Sequence, residues 1–375
     1  MNASADMSAT AGDVGRLYRA CEGSEGTHFA LRWRGRTRFT VPVDPAARRA
    51  CWNVFRPGML GIPLRTMAQL PRLFNTKRCT EGPEIGIIRE AVGCLSGLSC
   101  CRVGAAGPWC KDTLLLLDRK TAEPCYFAKA GTGAAVDALL ANEANWLRKL
   151  RGEMGLASQV PELVAHRSGE DFCFVAQRPL AGHLDFSLAA PQMDFLLKLQ
   201  RCSLKTMRYE DCRLSKTLDS RLADLSGCLT DAWAKRLQTC IAKIGESMLG
   251  KPIDLVAAHG DFSPWNTRLD RGVAGVFDWE YAADEQFPLF DPIHFVLMPM
   301  ALKSEPLAKI IRAMQRTLCL CRQWLGEARC YRSEAQVLAY LANLCTLYIW
   351  ADRGGRSLHP TLMSYARVID HLLAG

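Results

Sequence analysis

Two aspartates and an asparagine stand on short turns in the stretch His259-Gly260-Asp261-Phe262-Ser263-Pro264-Trp265-Asn266 and in Val276-Phe277-Asp278-Trp279-Glu280, which follows it. The apolar run Leu255 to Ala258 ends in His-Gly-Asp, so Asp261 is delivered to the edge of a buried strand or helix. Asn266 follows five residues later, and Pro264 keeps the residues between them out of a regular helix. Asp278 arrives twelve residues after Asn266, at the end of a second apolar run, Val273 to Phe277. Phosphoryl transfer needs this combination of groups. One carboxylate orients the attacking hydroxyl and takes its proton, while an amide oxygen and a second carboxylate hold magnesium on the phosphates. Asp261, Asn266 and Asp278 can fill those roles in that order. The competing reading makes them a structural turn whose Asp and Asn cap backbone groups.

A second constellation lies upstream. Lys129 ends the apolar run Tyr126-Phe127-Ala128, where a lone cation on a sheet face needs an anionic partner. Fourteen residues on, Glu143 falls in an expected helix from about Val136 to Arg151. The helical spacing places it on the same stripe as Leu139, Leu140, Leu147 and Leu150. A carboxylate facing a core is costly unless paired, which makes Lys129 its candidate partner; the alternative is a solvated acid at the helix edge. Between the strand-like runs Leu95 to Val103 and Lys111 to Asp118 lies Gly104-Ala-Ala-Gly107-Pro108. A small glycine turn lets backbone approach phosphates closely, although an ordinary hairpin turn has the same composition.

HGDFSPWN followed by FDWE resembles the catalytic loop and metal-binding motif of the aminoglycoside phosphotransferase and choline kinase family. The resemblance covers about residues 95 to 300 and is specific at 259–280. It implies an α+β, two-lobed protein kinase-like fold with a small β-rich N-lobe and a larger helical C-lobe. It implies a small-molecule kinase that uses ATP and Mg2+ and phosphorylates an alcohol group. Asp261 would be catalytic, and Asn266 and Asp278 would hold the metal. Lys129, oriented by Glu143, would contact the phosphates, with Gly104 and Gly107 covering them. The lobes would join at Gln177-Arg178-Pro179-Leu180, where the backbone from Gln177 to Leu180 would meet the adenine; Pro179 has no N–H to offer. His259 is expected to hold the loop around Asp261. Asp291 is read as the cap of a helix starting at Pro292, and Glu280 as either an aid to the metal or a surface acid.

The chain has 375 residues, enough for a substantial core. A hydrophobic content of 49% and a mean hydropathy of −0.03 describe a globular protein. The longest apolar stretch, Val337 to Ala351, is too short to span a bilayer and carries Asn343. The first residues show no apolar core of a secretory signal. Seventeen cysteines, an odd number without a CxxC pair, do not match zinc spacing and suit reduced, packed thiols in a cytoplasm.

Three segments are expected: a basic accessory segment over 1–85, a kinase-like N-lobe over 86–180, and a helical C-lobe over 181–375. Residues 1–80 carry 13 Lys plus Arg against 5 Asp plus Glu, so nearly all of the net +9 lies there. His28 to Val43 alternates apolar residues and Arg around Gly35, which predicts a hairpin with one basic face. Asp44-Pro45 reads as an N-cap and N1 pair starting a helix to about Phe55. That face suits an anionic surface such as lipid headgroups or an acidic polysaccharide; the alternative is a solvated face. No nucleic-acid motif accompanies it, so nucleic acid is the least favoured partner. Helical periodicity marks Ala232 to Met248, a series from Pro288, Leu302 to Trp324, Ser333 to Trp350 and His359 to Leu373. Residues 181–375 hold 23 Lys plus Arg and 21 Asp plus Glu, without the acidic excess that would favour a polycationic acceptor. A sugar, or a glycan or lipid precursor, is the expected acceptor. A non-catalytic nucleotide-binding or scaffold protein of the same fold, and a membrane-associated adaptor, are the competing classes.

Overall fold

The computed structural model describes residues 16–21, 26–33, 36–54, 76–104, 109–351 and 359–374. The chain divides into two compact units, Met1–Arg148 with Pro161–Pro179, and Lys149–Val160 with Leu180–Gly375.

The first unit is built on one antiparallel sheet. Among the described residues its strands are β1 (Tyr18–Ala20), β2 (His28–Trp33), β3 (Arg36–Pro42), β4 (Thr76–Glu81), β5 (Leu98–Arg102), β6 (Asp112–Leu117), β7 (Pro124–Gly131), β8 (Leu163–Arg167) and β9 (Cys173–Gln177). They are ordered β1-β4-β2-β3-β5-β6-β7-β9-β8. Strand periodicity explains how this sheet buries both faces. In the run Leu114 to Leu117, Leu114 and Leu116 enter one apolar cluster with Tyr18, Cys79, Ile85 and Ile88. Leu115 and Leu117 enter the cluster on the other face with Leu31, Val41 and Cys51. Among the described residues, three helices supply the cover. Helix α1 (Pro45–Val54) contributes Cys51, and α2 (Pro83–Ala91) contributes Ile85 and Ile88. Helix α3 (Ala134–Arg151) lays Val136, Leu140 and Ala144 against Cys173 and Val175.

The hairpin expected over His28 to Val43 forms as β2 and β3, but the boundary expected at residue 85 does not divide the fold. β3 pairs with β5 through Phe39↔Arg102 and Thr40↔Cys101, so residues before and after 85 share one ladder. A partly buried polar network adds to the seam. The Tyr18 hydroxyl lies 2.7 Å from Ser99 Oγ, Ser99 Oγ donates to Glu81 Oε1 at 2.5 Å, and Arg89 donates to the same carboxylate at 2.7 Å. The physical reason is edge satisfaction: without β3, the unpaired groups of β5 would face solvent. Two arginines from outside the hairpin pack on it: the guanidinium groups of Arg78 on β4 and Arg48 on α1 lie 4.4 and 5.8 Å from the centre of the Phe29 ring.

In the second unit, β11 (Pro252–Ala258) is flanked by β10 (Lys205–Arg208) and β14 (Ala283–Gln286), and β12 (Thr267–Asp270) pairs with β13 (Val273–Val276). Around them lie α4 (Ala190–Arg201), α5 (Arg213–Leu225), α6 (Asp231–Met248), α7 (Phe290–Leu302), α8 (Leu307–Leu325), α9 (Ser333–Ala351) and α10 (Leu362–Ala374). Phe195 of α4 stacks on Phe262 with ring centroids 6.0 Å apart, fixing the loop after β11 to the helical layer. Among the described residues no helix is long and apolar enough to cross a membrane.

Candidate active site

The turn that leaves β11 is held from below by a single carboxylate. Asp291 on α7 accepts the backbone N–H of His259 at 2.7 Å and that of Gly260 at 3.0 Å. Gly260 has φ +83°, and a Cβ there would run into the carbonyl of Tyr281, so the position requires glycine. His259 is fully buried, and its Nδ1 accepts the N–H of Asp261 at 3.2 Å. Its Nε2 therefore carries the hydrogen and donates to the carbonyl of Phe277 at 3.0 Å. Burial holds its pKa below the usual imidazole value despite the nearby carboxylates, which keeps it neutral. The Phe277 N–H in turn donates to the carbonyl of Asn266 at 3.1 Å. The two motifs are thus laced together, and the structural role expected for His259 is what its hydrogen bonds perform.

At the tip of this loop, Asp261 meets three side-chain donors. Oδ1 accepts from Ser263 Oγ at 2.7 Å and from His294 Nε2 at 2.8 Å, and Oδ2 accepts from Asn266 Nδ2 at 2.9 Å. Asn266 Nδ2 also donates to the Asp261 carbonyl at 2.9 Å. Burial pushes the Asp261 pKa up, but the His294 and Ser263 bonds outweigh it and leave the carboxyl below its ordinary range. The side chain remains 25% exposed, so the ionised group still faces outward. Asp278 sits next to Phe277 in the left-handed region, φ +76° and ψ +58°, an uncommon and strained state for a residue with a side chain. Glu280, two residues on, is buried rather than a surface acid.

Asp291 departs from the sequence reading. Helix α7 begins at Phe290, not Pro292, and no side-chain cap bond is made at its start. The Asp291 carboxylate instead satisfies the two backbone donors at 259 and 260, which the turn would otherwise bury unpaired. Its complete burial pushes its pKa up.

In the first unit, Lys129 Nζ donates to both oxygens of Glu143, at 2.9 and 2.7 Å. Glu143 is fully buried, so the paired acid inferred from the leucine stripe is present. Gly104 behaves differently from the expectation. Its N–H donates to Asp112 Oδ1 at 3.0 Å, and its Cα packs on the Lys111 carbonyl without room for a Cβ. Its amide therefore serves the protein rather than presenting itself to a ligand, and Gly107 lies outside the described residues. Gln177 ends β9 with a buried side chain, and the Arg178 N–H is taken by the Glu162 carbonyl at 2.9 Å. Leu180 is the first residue of the second unit to follow Pro179.

The structure brings together Asp261 with Asn266, and Lys129 with Glu143. It adds three residues to the Asp261 neighbourhood: Ser263, His294 and Asp291. Ser263 lies inside the motif, whereas Asp291 and His294 carry only a three-residue spacing on one helix face as a signal.

The model of the phosphotransferase enzyme family matches residues 112–345. The chain belongs to this family. It is a small-molecule phosphotransferase, and the match opens at the first residue of β6, with β1 to β5 preceding it. No curated protein matches the sequence. Among solved structures, a thermostable mutant of aminoglycoside phosphotransferase APH(4)-Ia in ternary complex with ADP and hygromycin B is similar to this phosphotransferase. The TM-score is 0.53 at 10% identity, over 78% of this chain and 98% of that one. Choline kinase LicA from Streptococcus pneumoniae is similar with a TM-score of 0.51 at 12% identity, over 78% of this chain and 99% of that one. These likenesses show the fold: an α+β kinase-like protein with a β-rich N-terminal part and a helical C-terminal part.

Proposed function

We propose that this phosphotransferase moves the γ-phosphoryl group of ATP, with Mg2+, to a hydroxyl of a small molecule. The observation that carries the reading is the Asp261 carboxylate, held ionised and partly open to solvent with Asn266 against it. In the reaction, the O–H bond of the acceptor breaks and its proton passes to Asp261. The oxygen's electron pair forms the new bond to the γ-phosphorus as the bond to the bridging oxygen breaks, and ADP leaves. Positioning and electrostatics do most of this work.

Asn266 and Asp278 would hold the metal. Both offer oxygen ligands of the hard kind that Mg2+ prefers, and the Asn266 amide nitrogen is already turned to Asp261, which leaves its oxygen for another partner. Bound Mg2+ would neutralise charge on the phosphates. Lys129, fixed by Glu143, would contact the phosphates; ADP in the APH(4)-Ia complex supports an adenine nucleotide. A sugar, or a glycan or lipid precursor, is the proposed acceptor, supported by the balanced charge of residues 181–375. The N-terminal strands are proposed to meet an anionic surface; Arg36 and Arg38, both exposed on β3, support this. A cytoplasmic setting is supported by seventeen free thiols.

One observation favours a second reading, a nucleotide-binding or scaffold protein without turnover: the Gly104 amide is committed to Asp112. Thermal unfolding with millimolar ATP tests the nucleotide site: stabilisation that needs Mg2+ and disappears in Asp278→Ala supports it, because a ligand that binds the native state raises its melting point by mass action. Turnover of Mg-ATP that is lost in Asp261→Ala then supports the kinase over a protein that only binds the nucleotide. Absence of any ATP-induced shift in the wild type would move the assignment to the scaffold.

A further inference from the structure

His294 has no part in the transfer step just described, yet it is buried on an apolar helix with its imidazole against the base. Asp291 and His294 are three residues apart on α7 and share one face. Asp291 reaches the backbone of the loop, and His294 reaches the carboxylate that the loop presents. The other ring nitrogen, Nδ1, lies 3.2 Å from the hydroxyl of Tyr340 on α9. Tyr340 is buried and meets Phe290 and Tyr365 edge-on, which restrains both its ring and the imidazole beside it.

A carboxylate only accepts, so Nε2, which faces it, must carry hydrogen. The Tyr340 hydroxyl, which also hydrogen-bonds Tyr365, holds the Nδ1 edge of the ring. Oδ1 of Asp261 is then filled by two donors, His294 and Ser263, whereas Oδ2 receives one, from Asn266.

Building on Asp261 as the base, we propose that His294 is a positioning residue that, held in place by Tyr340, donates from Nε2, fixes the Asp261 carboxylate and leaves Oδ2 as the oxygen that takes the acceptor's proton. His294 does not itself gain or lose a proton in the step. The acceptor O–H breaks, its proton ends on Oδ2, and the Nε2–H bond stays intact.

The test uses the full chain, with Mg-ATP turnover read as release of inorganic phosphate and water standing in for the acceptor. His294→Phe should lower kcat by about 10- to 100-fold, the size expected for losing one hydrogen bond to an ionised group, with KM for ATP unchanged. His294→Gln, which places a side-chain N–H near the same point, should recover most of that loss. Equal kcat in wild type and His294→Phe overturns the proposal, and so does a Gln variant as impaired as the Phe variant. Asp261→Asn keeps the two levels apart, since turnover that survives it removes the base assignment itself. A readout independent of turnover is the long-range 15N–1H spectrum of the imidazoles. Hydrogen on Nε2 of His294 in the wild type supports the proposal, and a His294 that carries hydrogen on Nδ1 alone overturns it.

Discussion

The dipeptide Asp-Pro occurs at two helix starts, and its aspartates do different jobs. In the first unit Asp44 precedes Pro45 at the head of α1, and its Oδ1 accepts the Ala47 N–H at 2.7 Å, an ordinary N-cap. In the second unit Asp291 precedes Pro292, but the helix has already begun at Phe290. Asp291 is therefore inside the first turn, and its carboxylate turns to the 259–260 backbone more than thirty residues away in sequence. The first aspartate stabilises its own helix and is read from four consecutive residues. The second stabilises somebody else's turn, and local sequence cannot distinguish the two.

The sharpest way to press this contrast is at the residue the clamped turn presents. Asp261→Asn should lower turnover by about 10^2- to 10^4-fold, the range for removing a general base, while the melting temperature and the ATP-induced shift persist. If turnover and stability fell together, Asp261 would be a second structural aspartate like Asp291. Next in size is the pair itself. Asp291→Ala strands two buried N–H groups and should cost about 2–5 kcal/mol in urea unfolding. Asp44→Ala should cost about 1 kcal/mol and leave turnover unchanged. Comparable losses at the two sites would erase the distinction.

The smallest effect is one of pH. His259 has a folded pKa held below its ordinary 6.5, so the stability it contributes is complete above that value and is lost as the pH falls. Asp291, with a folded pKa raised above its ordinary 3.8, works in the opposite sense: its contribution is complete below that value and is lost as pH rises through the raised one. Guanidinium midpoints should therefore decline between pH 7 and pH 5 in the wild type, and His259→Asn should flatten that decline. An unchanged slope in the variant would show that His259 is not the group responsible.

Much of the chemistry was legible because it is local. The loop His259 to Asn266 carries its own turn residues, and Glu143 betrays itself as an acid on a leucine stripe. The hairpin over His28 to Val43 follows from alternation around Gly35. What escaped was set by distant partners. β4 reads Thr-Lys-Arg-Cys-Thr-Glu, in which Cys79 is the buried apolar residue, so nothing in the segment marks it as an interior strand. It earns that place by pairing with β1 and β2. His294 looks like any histidine packed in a core helix until the loop and α9 are brought to it. The glycine turn predicts backbone freedom at Gly104, but the space that residue leaves is taken by the Lys111 carbonyl.

The continuity of the first unit's sheet bears on how this protein can be shortened. The family match opens at Asp112 and the expected segment boundary lay at 85, so either would invite excision of everything before it. Cutting at 85 would strip β1 to β4 and turn β5 from an interior strand into a raw edge. The apolar row formed by Cys100, Leu115 and Leu117 would lose Leu31, Val41 and Cys51 from its cover. An unpaired strand beside an uncovered apolar face is a template for self-association. A trimmed catalytic fragment is thus expected to precipitate for reasons unrelated to catalysis, and an inactive truncation would say nothing about which residues transfer the phosphate.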